Sequence, residues 1–379
     1  MIVMMICHYD DTNSSGGLDQ QARLLSRALR AVGEDVVVLA STRKRANAGW
    51  STDEGVPVRL FWTYASPQAS GRYLPAALIW AAQLLVWVIA NRARIAVIHG
   101  HQMRIHAFVA ALARRLFKIP TILKSALGGA GSDIYAIGTR KYLGAPGRRF
   151  VIRNTDCFVA TTETIRSDLL AYHVPAERIR LIPNGTIIPT TNDAAPDARR
   201  ARKCLYLGRF SREKNVAALA RAAARVGAEG ALEVDFFGRG DEEAQIDAAI
   251  RAGSGARVAN NGWIADPATV LSDYGYVLLS SHIEGLSNTM IQAMSHGLVP
   301  VATRVSGCIE HLCDGETGFF FEGDDEASLA RGLAAIAEVP PERWCRMSEA
   351  ARRYAVENFD IAAICGAYRT LYAELAPRG

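Results

Sequence analysis

An apolar stretch, Tyr276 to Leu279, runs into Ser280-Ser281-His282-Ile283-Glu284-Gly285-Leu286-Ser287-Asn288, and a helix leaves it. A strand that feeds a helix N-terminus builds an anion site. The first backbone N–H groups of the helix have no partner within it, and the dipole places partial positive charge there, so a phosphate docks naturally. Glu284 stands just outside that mouth. Upstream, Gly208-Arg209-Phe210-Ser211-Arg212-Glu213-Lys214-Asn215 sets two cations, Arg209 and Lys214, five residues apart in another strand-to-helix loop. An arginine fork can grip two phosphate oxygens, while a lysine acts as a point charge. Taken singly, each feature has a plain reading: a carboxylate favouring a helix N-terminus, and a solvated cationic turn.

The elements that must position these residues come in two series. The first forty residues read as strand (to Cys7), glycine loop (His8 to Gly17), helix (Leu18 to Val32) and strand (Val36 to Ala40). Further strands are expected at Ile95 to His99, Thr121 to Lys124 and Cys157 to Ala160, with a helix from about Ile105 to Phe117. Thr190 to Asp197 is polar and proline-bearing and reads as a linker. A new sheet then starts at Lys203 to Phe210, followed by a helix from about Asn215 to Val226. Strands at Val234 to Phe237, Gly275 to Leu279, Val299 to Thr303 and Phe319 to Phe321 continue it. Alternation of this kind implies parallel sheets covered on both faces.

The pair Glu284-Gly285 and Gln292-Ala293-Met294-Ser295-His296-Gly297, with Val299 to Gly307 and Asp314-Gly315-Glu316-Thr317-Gly318 downstream, resembles the retaining glycosyltransferases of family 4, the glycosyl transferases of group 1. The resemblance implies an α/β, GT-B fold: two Rossmann-like, doubly wound parallel-sheet domains facing a cleft. These would be an acceptor domain over 1–190, with a C-terminal helix in 361–379 packing back on it, and a nucleotide-sugar donor domain over 198–360. It also implies roles. Arg209 and Lys214 would hold the donor pyrophosphate, Glu284 would contact the sugar, and the backbone of Gly285, Leu286, Ser287 and Asn288 would meet the phosphates. Gly16 and Gly17 would let backbone approach a phosphate or sugar, and Gly238-Arg239-Gly240 would lie near the nucleobase. Pro183-Asn184-Gly185 fits the family pattern on the hinge side.

Two positions depart from the pattern. Gln292 occupies the place of the acid that usually binds the ribose; an amide still hydrogen-bonds two hydroxyls but carries no charge. Many members also carry a histidine after the Thr121 to Lys124 strand, where this chain reads Lys124-Ser125-Ala126-Leu127-Gly128-Gly129. No Asp-x-Asp occurs, and His99-Gly100-His101 has no Cys or acidic ligand nearby in sequence, so no metal and no cofactor beyond the co-substrate are expected. Asp10 and Asp11 remain either acceptor contacts or a wet loop.

Composition sets the remaining bounds. Residues 1–190 hold 23 Lys/Arg against 12 Asp/Glu, and the rest 20 against 26, giving about +11 and −6. A basic half suits an anionic substrate or membrane face; nucleic acid is the weakest partner, since no recognition motif accompanies the charge. Seven cysteines without a Cys-x-x-Cys pair fit a reducing, cytoplasmic compartment. Tyr73 to Ala90 offers eighteen uncharged residues, at the lower limit for a span, and reads as a buried helix or one touching the inner membrane face peripherally. The reading is a transferase moving a sugar from a nucleotide-sugar donor to a saccharide or lipid-linked acceptor. A sugar-nucleotide epimerase of the same architecture and a non-catalytic binding subunit stay open beside it.

Overall fold

The computed structural model describes residues 1–8, 17–65, 73–139, 143–190, 198–227, 232–253 and 257–376. Asp10, Asp11, Gly16 and nearly all of the expected linker lie outside these. Two compact units result: Met1–Gly185 with Ile361–Gly379, and Thr186–Asp360. Residues 186–190, counted with the first domain from sequence, group with the second unit. Ser295 Oγ donates to the Ile187 carbonyl and the Arg352 guanidinium to the Pro189 carbonyl there.

The first unit runs β1 (Ile2–His8), α1 (Gly17–Ala31), β2 (Val36–Thr42), β3 (Gly49–Asp53), β4 (Val56–Trp62), α2 (Leu74–Asn91), β5 (Val97–His101), α3 (Ile105–Phe117), β6 (Thr121–Lys124), α4 (Asp133–Ala136), α5 (Gly144–Arg153), β7 (Cys157–Ala160), α6 (Glu163–Ala171) and β8 (Ile179–Leu181). Its sheet has the order β3-β4-β2-β1-β5-β6-β7-β8, parallel except where β3 runs against β4. The strand expected from Ile95 starts instead at Val97 and ends at His101, because pairing with β1 begins at Ile2↔Val97. The β3–β4 hairpin was not expected. Its turn, Glu54-Gly55, has φ of +46° and +82°, a geometry that Asn-Gly or Asp-Gly usually signals, and glutamate does not.

The second unit runs β9 (Lys203–Leu207), α7 (Val216–Gly227), β10 (Glu233–Phe237), α8 (Glu243–Ala252), β11 (Arg257–Gly262), α9 (Ala268–Leu271), β12 (Tyr276–Leu279), α10 (Asn288–Ser295), β13 (Val299–Ala302), α11 (Ser306–Ile309), β14 (Phe319–Phe320), α12 (Glu326–Ala337) and α13 (Pro341–Phe359). Its sheet is parallel throughout, in the order β11-β10-β9-β12-β13-β14. The chain then returns to the first unit as α14 (Ile361–Leu375). Tyr368, Leu371 and Tyr372 of that helix pack with Ile2, Met4, Val97 and Ile122 of the first sheet.

Beneath α14 lies a buried polar cluster. His99 shares a 2.8 Å hydrogen bond with the Tyr372 hydroxyl, its ring lies 4.4 Å from that of His101, and Lys124 Nζ sits 5.7 Å from the Tyr368 ring centre. On the side covered by α2 and α3, His106 packs edge-on to Trp80 at 5.5 Å, and its Nε2 donates to the His101 carbonyl. Burial, reinforced by the Lys124 charge, pushes His99 down to about 3; burial takes His106 to about 4, His101 well below its usual value and Lys124 to about 7. The unfolded chain therefore binds more protons than the folded one, both below pH 6.5 at the histidines and above pH 7 at the lysine. Stability at each of these groups rises with pH through its own window and is lost as pH falls. Each neutral histidine removes about 1.4 kcal/mol per pH unit below 6.5. Urea unfolding of the first unit should weaken from pH 6.5 to pH 5, and His101→Phe should flatten that slope by about 1.4 kcal/mol per pH unit; an unchanged slope would show that His101 is not held neutral.

Candidate functional site

The strand order of the second unit fixes where a ligand can sit. The chain begins at β9, moves out through β10 and β11, then returns to place β12 on the other side of β9. The loops after β9 and β12 thus leave adjacent strands in opposite directions, which opens a crevice at their carboxyl ends. Those two loops are 208–215 and 280–287, the ones carrying Arg209, Lys214 and Glu284.

Three contacts stitch the loops together. Ser280 Oγ donates to the Lys214 carbonyl (2.8 Å), the His282 backbone N–H to the Glu213 carbonyl (2.9 Å), and Lys214 Nζ meets Glu284 Oε2 at 2.5 Å. The Lys214 and Glu284 side chains are 25% and 15% exposed, so the pair is largely shielded from water. Ser281 Oγ donates to the same Glu284 oxygen (2.8 Å), fixing the carboxylate's orientation. Asn215 closes the first loop in the left-handed region, φ +53°, and its amide donates to the Asp324 carbonyl. Arg209 is exposed, and its guanidinium has no hydrogen-bond or ion-pair partner among the described residues. The Tyr206 hydroxyl donates to the Arg209 carbonyl, and burial together with the Glu284 and Glu242 charges holds the Tyr206 phenol well above its usual value.

Helix α10 opens beside this pair. Ser287 is its N-cap, accepting from the Met290 N–H, so that hydroxyl is engaged within the helix start. Leu286 is buried with Leu279, Met290 and Met294, leaving only its backbone to face a ligand. Gln292 is half-buried, and its amide makes no hydrogen bond among the described residues.

Glycines let three backbones come close. A Cβ on Gly307 would fall 1.8 Å from the Gly285 carbonyl oxygen, while Ser306 Oγ donates to the Glu284 carbonyl, so α11 braces the second loop from behind. A Cβ on Gly238 would fall 1.9 Å from the Gly208 oxygen, and Gly240, at φ +157°, packs against the Phe210 backbone. The Arg239 guanidinium between them lies 5.4 Å from the Trp263 ring.

In the first unit, Gly17 is the first residue of α1 and Gly16 lies outside the described residues. Gln21 clamps Gly185, accepting from its N–H (3.0 Å) and donating to its carbonyl (2.8 Å), which anchors the Pro183-Asn184-Gly185 turn to α1. His99 and His101 point into the core beneath α14. Among the described residues no group of three or more His, Cys, Asp or Glu side chains could hold a metal ion. The hydroxyls of Ser280, Ser281 and Ser306, and Thr289 donating to the Leu207 carbonyl, were not assigned from sequence. Ser280 and Ser281 are small polar residues directly after a buried strand, whereas Ser306 and Thr289 stand at helix starts with no such signal.

Two Rossmann-like units, the second with cations, a carboxylate and a helix mouth gathered at its switch point, define a GT-B glycosyltransferase. Residues 16–185 match the glycosyl transferase 4-like domain and residues 201–338 the glycosyl transferases group 1. The chain belongs to that family, group 1 or family 4, and is a transferase. It is similar to the lipopolysaccharide core biosynthesis glycosyltransferase LpsE of Rhizobium meliloti, 28% identical over 233 residues, 60% of this chain and 67% of that protein. Among solved structures, sucrose-phosphate synthase from Thermosynechococcus elongatus superposes with a TM-score of 0.79 at 20% identity, covering 99% and 98% of the two chains. Anabaena Alr3699/HepE in complex with UDP and glucose superposes with 0.74 at 15% identity, covering 98% and 99%. The fold class and family resemblance read from sequence are borne out.

The brace behind the second loop is testable. Gly307→Ala drives a methyl group into the Gly285 carbonyl and should destabilise the second unit by roughly 1–3 kcal/mol, as overpacking does, read by urea unfolding. Wild-type stability would show that the two backbones are not held in contact.

Proposed function

We propose that this enzyme transfers a sugar from a nucleoside diphosphate sugar to a hydroxyl of a saccharide or lipid-linked acceptor bound by the first unit, with retention of anomeric configuration and without a metal. The observation that carries this reading is the Lys214–Glu284 pair, stitched at the switch point beside the mouth of α10 and near Arg209. The UDP and glucose held by the Anabaena relative support a nucleotide-sugar donor, and the lipopolysaccharide core enzyme supports a role in polysaccharide or glycolipid synthesis.

The chemistry needs leaving-group stabilisation most. The bond from the anomeric carbon to the β-phosphate oxygen breaks, and negative charge grows on that phosphate. Arg209, Lys214 and the N-terminal end of the α10 dipole supply fixed positive charge for it. The acceptor oxygen bonds to the anomeric carbon on the same face and passes its proton to the departing phosphate oxygen, so no separate base is required. An incoming diphosphate competes with Glu284 for Lys214, and the released carboxylate is then free to accept hydrogen bonds from sugar hydroxyls. Gln292 holds the ribose hydroxyls as a neutral amide. The work is done in the cytoplasm, with the basic first unit touching the anionic inner face of a membrane peripherally.

Release of nucleoside diphosphate from a panel of nucleotide sugars, with candidate acceptors, tests the reading. Arg209→Gln and Lys214→Met should each lower kcat/KM by about 10²–10³-fold, the usual loss for one charge-stabilising donor. Glu284→Gln should depress turnover while leaving nucleoside diphosphate affinity intact or tighter, because it frees Lys214. Unchanged turnover and nucleotide affinity in both cation variants would refute the assignment.

A further inference from the structure

Helix α2 is apolar on two opposite faces. Ala76, Ala77, Trp80, Leu84 and Val88 are buried against the first sheet, whereas Leu74, Leu78, Ile79, Val86 and Ile89 on the other side are 38–66% exposed. At 100° per residue the first set occupies one arc of the helix and the second the arc facing away from it. No charged residue occurs from Leu74 to Asn91, and only 28% of this stretch, of mean hydropathy 1.7, is buried. An exposed apolar stripe of four turns marks an interaction surface.

The stripe ends beside a basic depression. At the C-terminal end of α2, Arg92 lies 6.0 Å from the ring of Phe117, in the last turn of α3. From there opens a hollow of about 260 Å³ lined by Arg114, Arg115, Lys118, Arg153 and Arg178, with Asp156 as its one acid. Asp156 is taken by Arg114 at 2.8 Å, so four cations face the hollow without a carboxylate partner among the described residues. Asp156 and Arg178 immediately precede β7 and β8, and Lys118 lies three residues before the start of β6, which places the hollow at the amino ends of the strands. Ligands of such sheets bind at the opposite, carboxyl ends, so this hollow is no part of the sugar-transfer site.

We propose that α2 and this hollow form one membrane-docking surface: the exposed stripe lies in the plane of the lipid interface, and Arg115, Lys118, Arg153 and Arg178 receive the phosphate of an anionic phospholipid. This deepens the peripheral contact proposed above and rests on it. The helix lies flat and does not span, because Trp80, Leu84 and Val88 are committed to the core of the unit. Charge decides against a second copy of this chain as the occupant. A two-fold contact presents the same surface on both copies, whose one acid, Asp156, is already taken, so neither copy would bring a carboxylate to the other's unpaired cations. An anionic leaflet instead complements both parts at once, apolar chains for the stripe and phosphates for the hollow, each cation contributing about 1 kcal/mol near such a surface.

Co-sedimentation of the full chain with vesicles of phosphatidylcholine, with and without phosphatidylglycerol, is the test. The wild type should pellet with the anionic vesicles and be largely released at about 0.5 M salt, where surface charge is screened. Arg115→Gln with Lys118→Gln should weaken that partitioning by about 30-fold, about 1 kcal/mol for each cation. Leu78→Glu with Val86→Glu should abolish it, with thermal unfolding confirming that both double variants are folded. Wild-type binding that neither pair weakens would overturn this surface while leaving a membrane contact elsewhere. Failure to pellet with any vesicle would overturn the contact and the surface together. A dimer in sedimentation velocity that Leu78→Glu with Val86→Glu dissociates would identify a second copy as the occupant and refute the proposal.

Discussion

The second unit depends on an ammonium and a carboxylate, contributed seventy positions apart in sequence, meeting in a shielded crevice. Lys214 and Glu284 each give up part of their water there and take each other as partner. Ser281 fixes the carboxylate, and Ser280 and the His282 N–H bind the backbone of the first loop, so the pair is oriented as well as neutralised. The glycines behind it serve the same end. Gly307 and Gly238 let neighbouring loops approach to distances that any side chain would prevent.

That arrangement follows from topology. A parallel sheet that reverses its winding between β9 and β12 sends two loops apart at one edge, and the crevice is made by the backbone before any side chain is placed. The α10 mouth then adds partial charge that needs no counterion and no reorganisation. Arg209 is exposed and without a side-chain partner among the described residues, whereas Lys214 is held by Glu284.

The first unit solves a different problem. Its sheet buries His99, His101 and Lys124 beneath a helix that returns from the far end of the chain, and His106 against Trp80 on the side covered by α2 and α3. Tyr372 satisfies one of those rings, but both ring nitrogens of His101 are left without a hydrogen bond. The polar cost is carried by a large apolar core around it.

Periodicity made α3 legible close to its observed ends, and motif spacing with the family resemblance placed a C-terminal helix within 361–379, where α14 lies. They also located both strand-to-helix loops and both sheets. Strand ends were less legible: Ile95 is apolar and buried yet lies before β5, since pairing with β1 decides where a strand starts. The sequence could nominate Lys214 and Glu284 as neighbours only through a family resemblance. Their contact, the serine hydroxyls that orient it and the two-faced exposure of α2 were decided by tertiary structure. Each depends on which strands pair and which helix face is covered, and those long-range choices leave no local pattern in the chain.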